Sequence, residues 1–253
     1  MIGLRCLLFL VICFALLIPA GLGATGLEHN FEQGNSLYGE GDYAAAIVEY
    51  EKVVAVSYES PELFYNLGNA YFREGQLGQA ILNYSRARRL DARDDDIRAN
   101  LEFARQFTID RLEVSEEAIL LDYVNRFFDS FSLTEITWLT MILYFLTTAV
   151  ILIRYIYRWY RVSMPLVAIL MACFVVSAIF CSVKLDRDVW TRTGVVLAQQ
   201  IEVKNGPGED FNGQFTAHAG LVFNIEREES GYYLVNFENR LKGWILKSAA
   251  GEI

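Results

Sequence analysis

YNLGNAYFREGQLGQAILNYSRA, residues 65–87, decides how the water-soluble part of this chain folds. Its apolar and small residues recur at helical spacing, interrupted once at Gly75, and the pattern predicts two helices folded back on each other. Small Gly68, Ala80 and Ala87 let the helices approach, while Leu67, Tyr71 and Tyr84 fill the space between them. Ser60 and Pro61 suit the cap and first position of the leading helix, and Gly75 suits its end. The stretch also repeats. Gly34, Gly41, Ala46, Ile47 and Tyr50 return 34 residues later as Gly68, Gly75, Ala80, Ile81 and Tyr84.

A 34-residue period of helix–turn–helix units closely resembles the tetratricopeptide repeat, whose units bury their apolar faces by stacking. The resemblance covers about residues 27–107. In the first unit Gln33 and Val53 replace the usual leucine and small residue, and Ala92 stands where the second would close on proline. "DDDIRANLEFARQF" starts a third unit and reads as a single capping helix, giving about two and a half repeats. So short an array needs support from another element. In this family the first helix of each unit lines a concave docking face. The resemblance places Asn35, Asn66, Asn69 and Asn100 there, with Phe72 and Arg73 beside them, as protein-binding residues. An asparagine amide both donates and accepts, which suits the backbone of an extended peptide. Phe31 and Asp96 stand where the lysines of carboxylate-clamp arrays would be, so an internal segment is a better ligand than a C-terminus.

The remaining sequence is segregated. The chain has 253 residues, 21% of them charged, a net charge of −9 and a positive mean hydropathy of +0.24. The acidic balance argues against nucleic acid, which demands clustered Lys and Arg. Cys6–Ile18 is a 13-residue apolar stretch after Arg5, followed by small residues, and predicts a signal peptide over 1–23. Residues 133–153 and 162–183 are long and apolar enough to cross a bilayer. Between them Arg154, Arg158 and Arg161 stand without an acid, which predicts a cytoplasmic loop over 154–161. Residues 108–132 read as an amphipathic bridging helix with Phe127, Phe128 and Phe131 near the membrane. The exported parts hold no cysteine, and with it no disulfide or thiol nucleophile.

After Lys184 short strand-like runs alternate with turns: "GVVLAQQIEVKNGPG" reads as one strand followed by a turn, and four or five strands in 190–253 predict a small barrel. "VKNGPG", "AHAG", "ESGYYLV" and "LKGWI" resemble the bacterial SH3-like domain, in which Gly243, Trp244 and Ile245 would close the last strand pair. Core packing is the expected role of Trp244.

No catalytic constellation emerges. His29 and His218 fall in different domains, there is no HExxH, P-loop or GxSxG, and the acidic runs read as solvated helix faces. The spans lack buried charges of the kind that mark an ion path. The expected fold is thus a multi-domain membrane protein: a repeat domain over 24–107, a transmembrane hairpin and a small all-β domain. In this order the parts resemble the BatE-type proteins of bacterial aerotolerance (Bat) operons. That resemblance implies a non-enzymatic scaffold in the inner membrane, without cofactor or metal. Both soluble domains would be periplasmic, with Bat proteins carrying von Willebrand factor A domains as partners. The alternative is a cell-wall receptor whose C-terminal domain binds peptidoglycan.

Overall fold

The computed structural model describes residues 24–110, 124, 127–128, 130–156, 164–237 and 241–253. The expected signal peptide, much of the bridging helix, and Arg158 and Arg161 lie outside these residues. The chain divides between Tyr58 and Glu59 into two compact units.

The first unit contains helices α1 (Ala24–Glu40) and α2 (Tyr43–Ala55). Asp42 caps α2 by accepting from the Ala45 N–H at 3.0 Å. Gly41, at φ +87°, makes the tight reversal that a β-carbon would strain. Gly34 lies against the Tyr50 ring, where an added β-carbon would stand 2.6 Å from it.

The second unit opens with the same construction. Helix α3 (Pro61–Arg73) begins on Ser60, whose hydroxyl accepts from Leu63 N–H at 3.1 Å, and α4 (Leu77–Leu90) returns after Gly75 at φ +75°. Gly68 lies against the Tyr84 ring as Gly34 does against Tyr50. Helix α5 (Asp95–Arg105) follows, capped by Asp94.

Helices α6 (Leu133–Ile156) and α7 (Met164–Leu185) pair with each other. Ser132 and Glu135 form a reciprocal capping box at the head of α6. Among the described residues these are the two helices long and apolar enough to cross a membrane. Thr140 and Ser177 hydroxyls meet between them at 2.7 Å, so polar side chains point inward while Ile142, Phe145, Ile169 and Val176 cover the outside. Lys184, nearly buried at the end of α7, is paired with Asp188 at 3.1 Å.

The C-terminal region is a seven-stranded antiparallel sheet: β1 (Thr193–Val196), β2 (Gln200–Lys204), β3 (Gly213–His218), β4 (Val222–Glu229), β5 (Tyr232–Phe237), β6 (Lys242–Leu246) and β7 (Ala250–Glu252). Its order is β3-β2-β6-β5-β4-β1-β7, and it is not closed: β3 and β7 are edges. Two expectations are corrected here. The run "GVVLAQQIEVK" is two strands broken at Leu197–Gln199, because β1 pairs β4 and β7 while β2 leaves to pair β3 and β6. The four or five expected strands are therefore seven, in an open sheet. Ser230 and Gly231, both at positive φ, turn β4 into β5.

Val203, Phe223, Tyr233, Val235, Phe237 and Ile245 form the core of this region. Trp244 is 6% exposed, yet it lies on the other face of β6 from Ile245. Arg227, Leu234 and Trp244 stand in register on β4, β5 and β6, and the Arg227 guanidinium lies 5.1 Å from the indole.

An ionic cluster ties β1, β4, β5 and β7. Glu252 accepts from Tyr233 Oη at 2.5 Å and Arg192 Nη2 at 2.6 Å, and Glu228 accepts from Lys247 Nζ at 2.6 Å. Burial alone would raise the Glu252 carboxyl, but those two bonds outweigh it and hold its pKa below the ordinary 4.5. The Lys247 hydrogen bond likewise lowers Glu228. Both carboxylates are easier to ionise folded than unfolded, so their contribution is present above pH 4.5 and lost as pH falls through the depressed folded values. Thermal unfolding followed from about pH 6 to about pH 3 is expected to show a falling midpoint, with a smaller fall when Glu228 and Glu252 are both Gln.

The sheet also supplies the support that the short repeat array needs. Gly78, Leu82, Arg86 and Arg89 share one face of α4, and β1, β7 and the turn before β4 pack on it. Gly78 lies under the Val196 carbonyl, Leu82 against Gly251, and Ile81 against Gly220 at φ +90°. Arg86 donates to the Glu252 carbonyl through Nε at 3.0 Å and Nη2 at 2.6 Å, and Arg89 donates to the Ile253 carbonyl at 2.6 Å. Burial holds the Arg86 pKa below its ordinary value. Asp110, after α5, accepts from the His218 N–H at 2.7 Å and meets His218 Nδ1 at 2.9 Å. Helix α4 is thus buried on both sides, against α3 and α5 and against the sheet.

Candidate docking groove

Side chains on facing stripes of α3 and α5 meet, and these stripes make up the candidate docking groove. Its middle is a polar network. Asn69 Oδ1 accepts from Tyr84 Oη at 2.7 Å and from Asn100 Nδ2 at 3.0 Å, and Asn100 Nδ2 also reaches Tyr65 Oη at 2.9 Å. One end is aromatic: Phe72, Phe103 and Phe107 have ring centroids 5.1–5.7 Å apart. Phe103 and Phe107 are half-exposed.

Of the six residues singled out from sequence, Asn69, Asn100 and Phe72 come together here. Asn66 is half-buried on α3 and Arg73 is exposed at its end. Asn35 belongs to the first unit, where its Oδ1 accepts from Tyr50 Oη at 2.8 Å. Burial, reinforced by Tyr38, pushes the Tyr50 hydroxyl up to about 12, so it stays a donor at any physiological pH. The same bond therefore occurs in both units, from a tyrosine on α2 or α4 to an asparagine fifteen residues earlier on α1 or α3. That offset was visible in sequence as Asn35/Tyr50 and Asn69/Tyr84, and it gives these asparagines a structural duty. Phe103 and Phe107, not singled out from sequence, follow Asn100 at the three- and seven-residue offsets of one helical stripe.

Family models of tetratricopeptide type match two overlapping segments: one described as TPR repeat at residues 34–75, and one described as Tetratricopeptide repeat at residues 61–94. Residues 34–94 are tetratricopeptide repeats. No curated protein matches the chain. A tetratricopeptide array is a protein-interaction fold whose work is binding rather than catalysis, and among the described residues no group of His, Cys, Asp and Glu is placed to hold a metal.

Asn69→Ala is expected to lower stability by about 1–3 kcal/mol, because it strips the acceptor from the buried Tyr84 hydroxyl. Chemical denaturation of Asn69→Ala, Tyr84→Phe and the double variant should show the double costing little more than either single.

Proposed function

We propose that this chain is a non-enzymatic, membrane-anchored adaptor of the Bat type. Its tetratricopeptide groove docks protein partners, and α6 and α7 cross the membrane as a hairpin. The C-terminal sheet is an SH3-like module, and both soluble parts lie outside the cytoplasm of a bacterium. Bat proteins with von Willebrand factor A domains are the partners this reading favours. The observation that carries it is a two-pronged ion pair: Arg93, in the turn after α4, meets Glu135 at the head of α6 through Nη1 at 3.0 Å and Nη2 at 2.8 Å. Arg93 Nε also donates to the Ser130 carbonyl at 2.7 Å. A bidentate guanidinium–carboxylate pair fixes direction as well as distance. The pair ties the turn after α4 to the head of α6, which supports reading the repeats and the apolar hairpin as parts of one adaptor. Phe128 stacking on Phe180 of α7 at 4.5 Å supports the same junction from the apolar side.

The apolar outer faces of α6 and α7 suit lipid, and Arg154 in the last turn of α6 suits the cytoplasmic side. Alkaline phosphatase fused at Asn205 is expected to be active and at Arg158 inactive. The opposite pattern would reverse the orientation, and activity at both would remove one span.

A further inference from the structure

The α3–α5 groove is graded along its length, and the grading describes a ligand. Asp96, Asn100, Phe103 and Phe107 lie on one stripe of α5 and the turn that follows it, while Glu62, Tyr65, Asn69 and Phe72 lie on the facing stripe of α3. The helices start at the same end. Glu62 and Asp96, one repeat length apart, therefore put two exposed carboxylates at that end and the half-exposed phenylalanines at the other. The cations nearest on α5 are already engaged, Arg98 with Asp95 at 2.5 Å and Arg105 with Glu102 at 3.8 Å. Glu62 and Asp96 stand in no ion pair among the described residues. Between the two ends Asn69 and Asn100 are bonded to each other and to the Tyr84 and Tyr65 hydroxyls.

Seven residues of helix separate Asp96 from Phe103, a span of about 10 Å. An extended peptide covers that span in about three residues. We infer that the groove takes a segment of a partner protein with an Arg or Lys about three positions from a large apolar residue. The cation lies between Glu62 and Asp96, and the apolar side chain on Phe72, Phe103 and Phe107. This rests on the reading of the repeats as a protein-docking surface and adds the chemistry of what docks. The converse arrangement, an acidic segment or a bare C-terminal carboxylate, would set anion against anion.

The test uses the full chain in mild detergent with fluorescein-labelled peptides of about 12 residues. They have a Gly/Ser background and one Arg and one Phe at varied separation, plus versions with Glu or Ser for Arg. The tightest binding is expected at a separation of about three, weakening with salt. Glu62→Gln with Asp96→Asn should weaken the Arg–Phe peptide about tenfold and leave the Ser–Phe peptide unchanged. Both residues are exposed, so the fold should survive the change. Peptides bound with no preference for Arg, or with affinity unmoved by the double variant, would overturn the inferred chemistry while the docking reading survives. Failure of every peptide, whatever its composition, would overturn both.

Discussion

Gly78→Leu is expected to detach the C-terminal sheet from the repeats. Leucine is a better helix former than glycine by about 1 kcal/mol, so α4 by itself would gain. The site, however, has no room. A β-carbon on Gly78 would stand 2.7 Å from the Val196 carbonyl oxygen and 2.9 Å from the Leu197 α-carbon, both backbone atoms that cannot rotate away. Overpacking of this kind costs about 1–3 kcal/mol, and a rigid neighbour puts it at the upper end. Arg86 and Arg89 would lose their backbone acceptors in the same step, since the Glu252 and Ile253 carbonyls lie at the end of β7, which is paired to the displaced β1. Hydrogen exchange reads the result at the Leu197 and Ile253 amides, which are bonded to Ala249 and Thr193. Their protection should fall, together with that of α4. Gly39→Ala is the matched control: Gly39 lies within α1 with nothing near its missing β-carbon, and the change should be neutral or mildly stabilising. Unchanged protection in Gly78→Leu would mean that the sheet does not bear on α4.

Trp244→Ala should cost about 3 kcal/mol, the low end of the range for truncating a buried tryptophan. The reason for the low end is where the ring lies. Trp244 is on the face of β6 opposite Ile245, covered by Arg227 and flanked in register by Leu234 and Lys204. Side chains on that face can close partly over the gap, which residues of the main core could not. Arg227→Ala should cost about 0.5–1 kcal/mol, because it removes the cation–π contact over the ring and an exposed ion pair with Glu229 that contributes little. Denaturant titration of the full chain measures both. A larger loss from Arg227→Ala than from Trp244→Ala would contradict this account of the ring's burial.

Sequence by itself determined what depends on local pattern. The 34-residue period identified the repeats, because their side chains meet partners one helix away at constant offsets. Ser60 and Gly75 announced helix ends, since caps answer to backbone groups within three or four residues. The two apolar helices were legible because length and composition alone decide whether a helix can span a bilayer. Only the tertiary structure decided the rest. The second buried face of α4 left no periodic signal: Arg86 meets Glu252 across 166 residues, and it binds a carbonyl, which every residue has. The break at Leu197–Gln199 was illegible because the chain stays extended on either side, while its two strands find different neighbours. In the groove, sequence placed Asn69, Asn100 and Phe72 on one docking face, but it could not show that Asn69 and Asn100 bond to each other and to the Tyr84 and Tyr65 hydroxyls. That depends on rings arriving from two different elements.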